Sequence, residues 1–220
     1  RGRPSRPAPN RARRVPPLKL GVLVSGVGTN LQALLDASSQ PDFPARVVLV
    51  ACNNAEAPAI GRAERAAIPV CVADRVATPR RADRQRQFLE ALQAAGVELV
   101  VLAGFNEILS PEFVAAYSGR ILNTHPSLLP AFGGSMHAVA QALEHGVKVT
   151  GCTIHLVTDE VDSGPILMQR CLEVREDDDV ASLHARIREQ EHQLLPLAVR
   201  AFAEGRVCVE GRRARVIPSA

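Results

Sequence analysis

The first half of the chain alternates apolar runs with segments of helical character, and this order limits the folds available to it. The strand-like runs, continuous and rich in Val and Leu, cover residues 18–24, 46–52, 70–73 and 98–102. The helical segments that separate or follow them cover residues 30–38, 57–67, 81–95 and 111–117. Strand and helix in alternation predict a parallel sheet with helices on both faces.

The second half of the chain departs from this alternation. Two long strand-like runs, residues 149–157 and 165–174, are joined by a polar loop, and a long helix is expected over residues 179–203. Residues 206–217 predict a small hairpin. We therefore expect one α/β domain over residues 18–217. Its sheet should be Rossmann-like, mostly parallel and twisted, with an antiparallel element in the C-terminal half.

The amino-terminal segment differs from this domain in composition. Residues 1–19 hold seven Lys or Arg and no acid, so the rest of the chain has 19 basic and 23 acidic side chains. Residues 1–17 lack hydrophobic periodicity and are expected to be a disordered, basic, Pro- and Arg-rich tail. Such a tail also suits an anionic partner or a targeting segment. The mildly acidic body argues against nucleic-acid binding.

Composition also favours a cytoplasmic protein with no membrane partner. No stretch approaches the ~18 unbroken apolar residues of a membrane span. The five cysteines form no C-x-x-C pair and are expected to be buried, reduced thiols. No H-E-x-x-H or similar spacing predicts a metal site. Whether the protein is a monomer or a homodimer is left open.

A glycine turn, S-G-V-G-T-N over residues 25–30, follows the first strand and opens the first helix. Free backbone amides at a helix amino terminus favour a phosphate group. The turn lacks the third glycine of a dinucleotide-binding motif and the Gly-Lys-Ser/Thr of a Walker loop. A tight turn capped by Thr29 or Asn30, with no ligand, explains the pattern equally well.

Two polar clusters indicate acyl-transfer chemistry. The first, L-N-T-H-P-S-L-L-P, covers residues 122–130, and the second, T-D-E-V-D-S-G-P, covers residues 158–165. Asn123 offers an amide donor for an oxyanion, His125 a group that moves protons, and Asp162 a carboxylate that orients or charges the imidazole. Each also has a structural explanation, since Asn and Asp often cap turns and His often satisfies a hydrogen bond.

With these motifs, the chain resembles the folate-dependent formyltransferases over residues 18–217, and among them those that formylate 5-phosphoribosylglycinamide in purine synthesis. The resemblance implies transfer of the formyl group of 10-formyltetrahydrofolate to the amine of that ribonucleotide, without a metal. Asn123 would then stabilise the oxyanion and His125 would move the proton. Asp162 would raise the imidazole pKa. His155, on the strand leading to Asp162, is expected to support the site.

The resemblance also implies the binding residues. The ribose phosphate of the acceptor would lie on Gly28, Thr29 and Asn30, and the ribose on Glu191. The folate would contact Arg81, or its neighbour Arg80, and two segments: Asn106, Glu107, Ile108 and Leu109, and Thr158, Asp159, Glu160 and Val161. The family commonly has Met-Arg where this chain has Asn106-Glu107, so backbone contacts are expected there and side-chain contacts are left open.

Two other classes of function compete with this interpretation. Methionyl-tRNA formyltransferases share the core but have a carboxy-terminal domain, and formyltetrahydrofolate deformylases have an amino-terminal one, so the length of the chain argues against both. A folate- or nucleotide-binding protein without activity would be expected to lack part of the set Asn123, His125 and Asp162, and all three are present.

Overall fold

One mixed sheet organises the part of the chain that this computed structural model describes, residues 16–218. Its strands are β1 (Leu18–Val24), β2 (Ala45–Cys52), β3 (Val70–Val72), β4 (Leu99–Leu102), β5 (Ile121–His125), β6 (Val149–Leu156), β7 (Ile166–Glu173), β8 (Val207–Glu210) and β9 (Arg213–Val216). The helices are α1 (Thr29–Ser38), α2 (Pro58–Arg65), α3 (Arg81–Ala94), α4 (Pro111–Ala116), α5 (Ala138–Glu144) and α6 (Val180–Ala203). The strand order is β3-β2-β1-β4-β5-β6-β7-β9-β8. Of the predicted disordered tail, only Pro16 and Pro17 fall inside the described residues.

The first five strands form the parallel part of the sheet. The alternation of strand and helix predicted the first four of them, whereas β5 was not among the predicted runs. Successive residues of β1 point to opposite faces, so that Val22 joins a core under α1 and α6 while Leu23 joins a core under α3 and α4. Gly21 lets α3 approach the second face, because a Cβ there would lie 2.2 Å from Leu92 Cδ2. Helices therefore cover both faces.

The C-terminal half supplies the predicted antiparallel element. β6 pairs antiparallel with β5 on one side and with β7 on the other. The predicted hairpin is β8–β9, which extends the sheet beyond β7 through a single parallel bridge. The helix α5 was not predicted, since its sequence, A-V-A-Q-A-L-E, spans only two turns and is too short to establish a period.

A crevice forms where the chain reverses its direction of travel across the sheet. From β1 the chain moves outward to β2 and β3, then returns past β1 to β4 and β5. In sheets of this kind ligands bind outside the carboxyl ends of the strands at this point of reversal. The glycine turn after β1, the irregular segment after β4 and the end of β5 all meet there.

Two of the cysteine predictions are wrong. Cys52 and Cys152 are buried and Cys71 is partly buried, but Cys171 on β7 and Cys208 on β8 are exposed. Both lie on the side of the sheet formed by its last strands, β7, β9 and β8, where alternate side chains face solvent. No helix within residues 16–218 is both long enough and apolar enough to cross a bilayer.

Candidate active site

A cavity of about 690 Å³ opens at the carboxyl ends of the parallel strands. The predicted site residues that line it are Gly28, Thr29, Asn30, Arg81, Asn106, Glu107, Ile108, Leu109, Asn123, His125, Thr158, Asp159, Val161, Asp162 and Glu191. Glu160 is exposed and does not line the cavity; its backbone carbonyl instead accepts a hydrogen bond from Thr158 Oγ1 at 3.3 Å. Of the two arginines considered, Arg81 lines the cavity and Arg80 does not.

The three residues predicted to be catalytic, Asn123, His125 and Asp162, lie together. A fourth residue, His155, joins them because the antiparallel register of β5 and β6 places it directly opposite Asn123. Asn123 Nδ2 lies 3.1 Å from His155 Nε2 and 3.5 Å from Asp162 Oδ1. The other Asp162 oxygen, Oδ2, lies 3.2 Å from His125 Nδ1. His155 Nε2 is 3.5 Å from Asp162 Oδ1, so one carboxylate faces both imidazoles and the amide.

The loop that holds Asp162 is fixed by close backbone contacts. Asp162 has a φ of 52°, in the left-handed region that non-glycine residues seldom adopt. Its Oδ2 accepts a hydrogen bond of 2.8 Å from the Gly134 N–H. Two residues later, Gly164 passes so near the end of β6 that a Cβ would lie 1.8 Å from the Leu156 carbonyl oxygen. The glycine in the D-S-G-P motif is therefore required by packing.

The Asp162 carboxylate is stabilised in its charged form. Burial alone would raise its pKa, but hydrogen bonds from His155 and from the Gly134 amide, together with the nearby imidazole of His125, outweigh that cost. The net result is a pKa below the ordinary value of 3.8. Asp162 is ionised at neutral pH and provides a fixed negative charge beside His125.

The net pKa of His125 lies below its ordinary value. Asp162 does act in the predicted direction, but burial of the imidazole has the larger effect. The two ring nitrogens face acceptors, since Nδ1 lies beside Asp162 and Nε2 lies 3.1 Å from the Phe132 carbonyl oxygen. Both contacts are hydrogen bonds only when the ring is doubly protonated. The partners of His125 thus favour the imidazolium, whereas burial favours the neutral ring and has the larger effect.

The glycine turn leaves the amino terminus of α1 without a side-chain cap. Gly28, the residue before the helix, has a φ of 74°, and a Cβ there would lie 2.6 Å from Ala59 Cβ. No side chain accepts a hydrogen bond from the first-turn amides, so the alternative of a turn capped by Thr29 or Asn30 is wrong. Amides at an uncapped helix amino terminus, with the positive end of the helix dipole, suit an anion.

The Asn30 side chain connects this turn to two other elements. Its Nδ2 donates to Glu191 Oε2 on α6 at 2.9 Å and lies 3.5 Å from Thr124 Oγ1 on β5. Glu191 is only 4% exposed, and burial raises the pKa of its carboxyl despite these donors. These contacts hold the glycine turn, β5 and α6 in one arrangement.

Two cavity residues, His184 and Arg188, were missed by the sequence analysis. Both lie on α6, four residues apart, and Glu191 follows three residues later, so all three share one face of the helix. This spacing is the signal that could have identified them. Burial and the neighbouring Arg188 lower the pKa of His184, so Arg188 provides the fixed positive charge on this wall.

The segment after β4 lines the other end of the cavity. It has no regular secondary structure, and the Asn106 N–H donates to Ser25 Oγ at 3.0 Å, which ties the segment to the glycine turn. The Glu107 side chain is held in an ion pair with Arg84. Among the described residues, no group of three or more His, Cys, Asp or Glu side chains is arranged to hold a metal ion.

Comparison with known proteins identifies the family. The formyl transferase family matches residues 18–199. The phosphoribosylglycinamide formyltransferase of Mycobacterium tuberculosis is 47% identical over 204 residues, which are 91% of this chain and 94% of that protein. Glycinamide ribonucleotide transformylase 1 from Symbiobacterium toebii has a similar structure, with a TM-score of 0.88 and 48% identity over 92% of this chain and 95% of that one. The chain belongs to the formyl transferase family.

The same domain occurs in proteins of different length and activity. The chain spans only 19% of the trifunctional purine biosynthetic protein adenosine-3 of Gallus gallus, with 44% identity over 192 residues. A formyltetrahydrofolate deformylase from Pseudomonas syringae pv. tomato is also similar in structure, with a TM-score of 0.85 and 26% identity over 92% of this chain and 66% of that one. The fold therefore does not by itself distinguish transfer of a formyl group from its hydrolysis.

Proposed function

We propose that this chain transfers the formyl group of 10-formyltetrahydrofolate to the amine of 5-phosphoribosylglycinamide, giving formylglycinamide ribonucleotide and tetrahydrofolate in purine synthesis. The main support is the grouping of Asn123, His125 and Asp162 at the wall of one cavity that also contains an uncapped helix amino terminus. The high identity to phosphoribosylglycinamide formyltransferases over nearly their whole length supports the same acceptor.

The acceptor ribonucleotide suits the end of the cavity formed by the glycine turn and α6. The amides of Gly28, Thr29 and Asn30 would bind the phosphate, with Arg188 as a nearby positive charge. Glu191, buried beside Asn30, would accept a hydrogen bond from a ribose hydroxyl. In this position the amine of the glycinamide would point toward β5.

The folate suits the opposite end. A cavity of about 690 Å³ is large enough for a drug-sized ligand, which typically occupies ~300–1,000 Å³. Its walls there are apolar side chains interleaved with irregular backbone, as a flat heteroaromatic ring with polar edges requires. The lining residues of this end include Phe105, Ile108, Leu109, Val157 and Val161. Arg81 at the margin offers a cation for the carboxylates of the folate tail.

The reaction is attack of the acceptor amine on the formyl carbon, which places negative charge on the formyl oxygen. Collapse of this tetrahedral intermediate breaks the bond between the formyl carbon and N10 of the folate, and N10 takes up the proton that the amine loses, so that tetrahydrofolate leaves. The Asn123 amide would donate to that oxygen, an interaction worth about 3–4 kcal/mol where it has been measured. Neutral His125, the form that burial favours, would accept the amine proton and become the imidazolium. Asp162, ionised and 3.2 Å from His125 Nδ1, stabilises that charge. His155, next to both side chains, would keep Asn123 and Asp162 in position.

The test measures release of deformylated folate by absorbance, with 10-formyl-5,8-dideazafolate as the formyl donor. Product formed only when 5-phosphoribosylglycinamide is added would establish the transferase and its acceptor. Product formed without the ribonucleotide would identify a deformylase. No product in either case, from a protein that still binds the folate analogue, would indicate a binding protein or another acceptor and would overturn the proposal.

We also propose the setting in which the reaction takes place. The small-molecule substrates, and identity to bacterial purine-synthesis enzymes, support a cytoplasmic protein that requires neither nucleic acid nor membrane. It would act as a monomer or a homodimer, and sedimentation velocity of the full chain distinguishes the two. The proposal for residues 18–217 as the formyltransferase domain would fail if that fragment did not fold and turn over alone.

A further inference from the structure

An ion pair that the proposed chemistry does not use lies directly behind the segment expected to bind folate. Glu107 Oε1 accepts hydrogen bonds from Arg84 Nη2 at 2.8 Å and from Arg84 Nε at 3.1 Å. Both side chains are 7% exposed. Arg75, which is 44% exposed, reaches the same oxygen from outside through Nε at 3.2 Å. The backbone of the segment is therefore anchored by a buried charge pair.

The rest of the Arg84 guanidinium is also occupied. Its Nη1 donates to the carbonyl oxygens of Thr78 and Pro79, at 2.6 Å and 2.8 Å. These two residues immediately precede Arg80 and the first residue of α3, Arg81, which lines the cavity. One buried side chain thus fixes two segments that border the same end of the cavity, the loop before α3 and the segment around Glu107.

The neighbouring residue, Gln85, fixes the same segment a little further along. It is 2% exposed, its Nε2 donates to the Ile108 carbonyl at 2.9 Å, and its Oε1 accepts from the Ser110 N–H at 2.7 Å. The segment from Phe105 to Ser110 lies outside the regular elements. Its shape therefore depends on side chains of the first two turns of α3 and not on a helix or strand of its own.

We propose that Arg84 and Glu107 are positioning residues that set the backbone of residues 105–109 and the loop before α3 for folate binding. This inference rests on the proposed function. The pair touches no reacting atom. Its loss alters affinity for the folate while leaving the ribonucleotide end of the cavity, built by α1 and α6, unaffected.

Direct binding of 10-formyl-5,8-dideazafolate without ribonucleotide, measured by titration calorimetry, tests the inference separately from turnover. Arg84→Met and Glu107→Gln are expected to raise Kd for this analogue about 10- to 100-fold, as small displacements of positioning groups do. KM for the ribonucleotide should stay within about twofold of wild type, because distant sites are usually independent. The matched control is Arg86→Met, on the same helix but in an exposed pair with Asp83, and its Kd should equal that of wild type.

The double variant Arg84→Met/Glu107→Met separates positioning from stability. Removing both charges avoids an unpaired buried ion, so its Tm should recover relative to the single variants. A Kd that stays raised while Tm recovers supports positioning. Recovery of both, or single variants that bind the analogue like wild type, would overturn the inference but not the proposed function. Failure of the wild-type protein itself to bind would overturn both.

Discussion

The parallel and antiparallel halves of the sheet contribute to the cavity by different means. The parallel strands β1 to β4 contribute mainly backbone: the amides that follow Gly28 and the irregular segment that follows β4. The antiparallel pair β5–β6 and the loop after β6 contribute side chains: strand register places His155 against Asn123, and the loop brings Asp162 to them. The first kind of surface suits recognition of phosphate and ring edges, and the second suits proton transfer. Binding and chemistry should therefore be separable by mutation.

The largest separation is expected from Asp162→Asn. Removing the charge next to His125 should lower kcat about 10²- to 10⁴-fold. KM for the ribonucleotide should change little, because Asp162 lies away from the glycine turn. Glu160→Gln is the control, since Glu160 belongs to the same loop but does not line the cavity. Steady-state kinetics with both substrates decide the matter, and near-normal kcat in Asp162→Asn would remove this residue from the mechanism.

The converse effect is expected from Gly28→Ala in the parallel half. The added Cβ would meet Ala59 at 2.6 Å and strain a backbone with a φ of 74°. Displacement of the turn should raise KM for the ribonucleotide about 10- to 100-fold, given a strain of ~1–3 kcal/mol. A matched substitution, Gly26→Ala, meets no atom within 4 Å and should leave Tm unchanged. A Gly28→Ala protein that lost kcat alone would contradict the division between the two halves.

A smaller effect is expected in the pH dependence of kcat/KM. In the proposed mechanism the free protein needs neutral His125, so activity should fall as pH drops through a pKa that burial holds below 6.5. The charge of Asp162 raises this pKa. The fall in activity on the acid side of the pH profile, the acid limb, should therefore occur at a lower pH in Asp162→Asn than in wild type. A limb that moved to higher pH would mean that another group controls the rate.

The smallest effect concerns stability at the ribonucleotide end. Glu191 has a folded-state pKa above its ordinary value of 4.5, so the unfolded chain releases its proton more readily. Its contribution is fully present below pH 4.5 and is lost as pH rises through the folded pKa. Glu191→Gln cannot ionise and should show a Tm that declines less over that range. Parallel Tm–pH curves for the two proteins would contradict this.

Much of the fold could be predicted because the local signals agree with one another. The alternation of apolar runs and helices predicted the parallel strands β1 to β4, and the two long runs from residue 149 onward predicted β6 and β7. The short helix α5 was missed because two turns give too few apolar positions to define a period. The helix α4 is as short as α5 but could be predicted, because Pro111 marks its first turn.

The site was less accessible to sequence analysis than the fold. The motifs identified Asn123, His125 and Asp162, but the pKa shift of His125 depends on how deeply the ring is buried, which only the folded protein determines. The role of Glu107 likewise depends on Arg84, a residue 23 positions away with no motif of its own. Pairwise burial of charges is a property of tertiary packing and leaves no periodic signal.

The register between β5 and β6 has a consequence for the order of folding. Asn123 and His155 are 32 residues apart, and their contact forms only when β6 docks against a sheet whose parallel strands already depend on helical connections. Pairings of this separation close late relative to local helices and turns. During refolding the first βα unit, with its glycine turn, can assemble before β6 is in place. Recovery of turnover should therefore trail recovery of helical circular dichroism, and turnover becomes a probe of the pairing of β5 with β6.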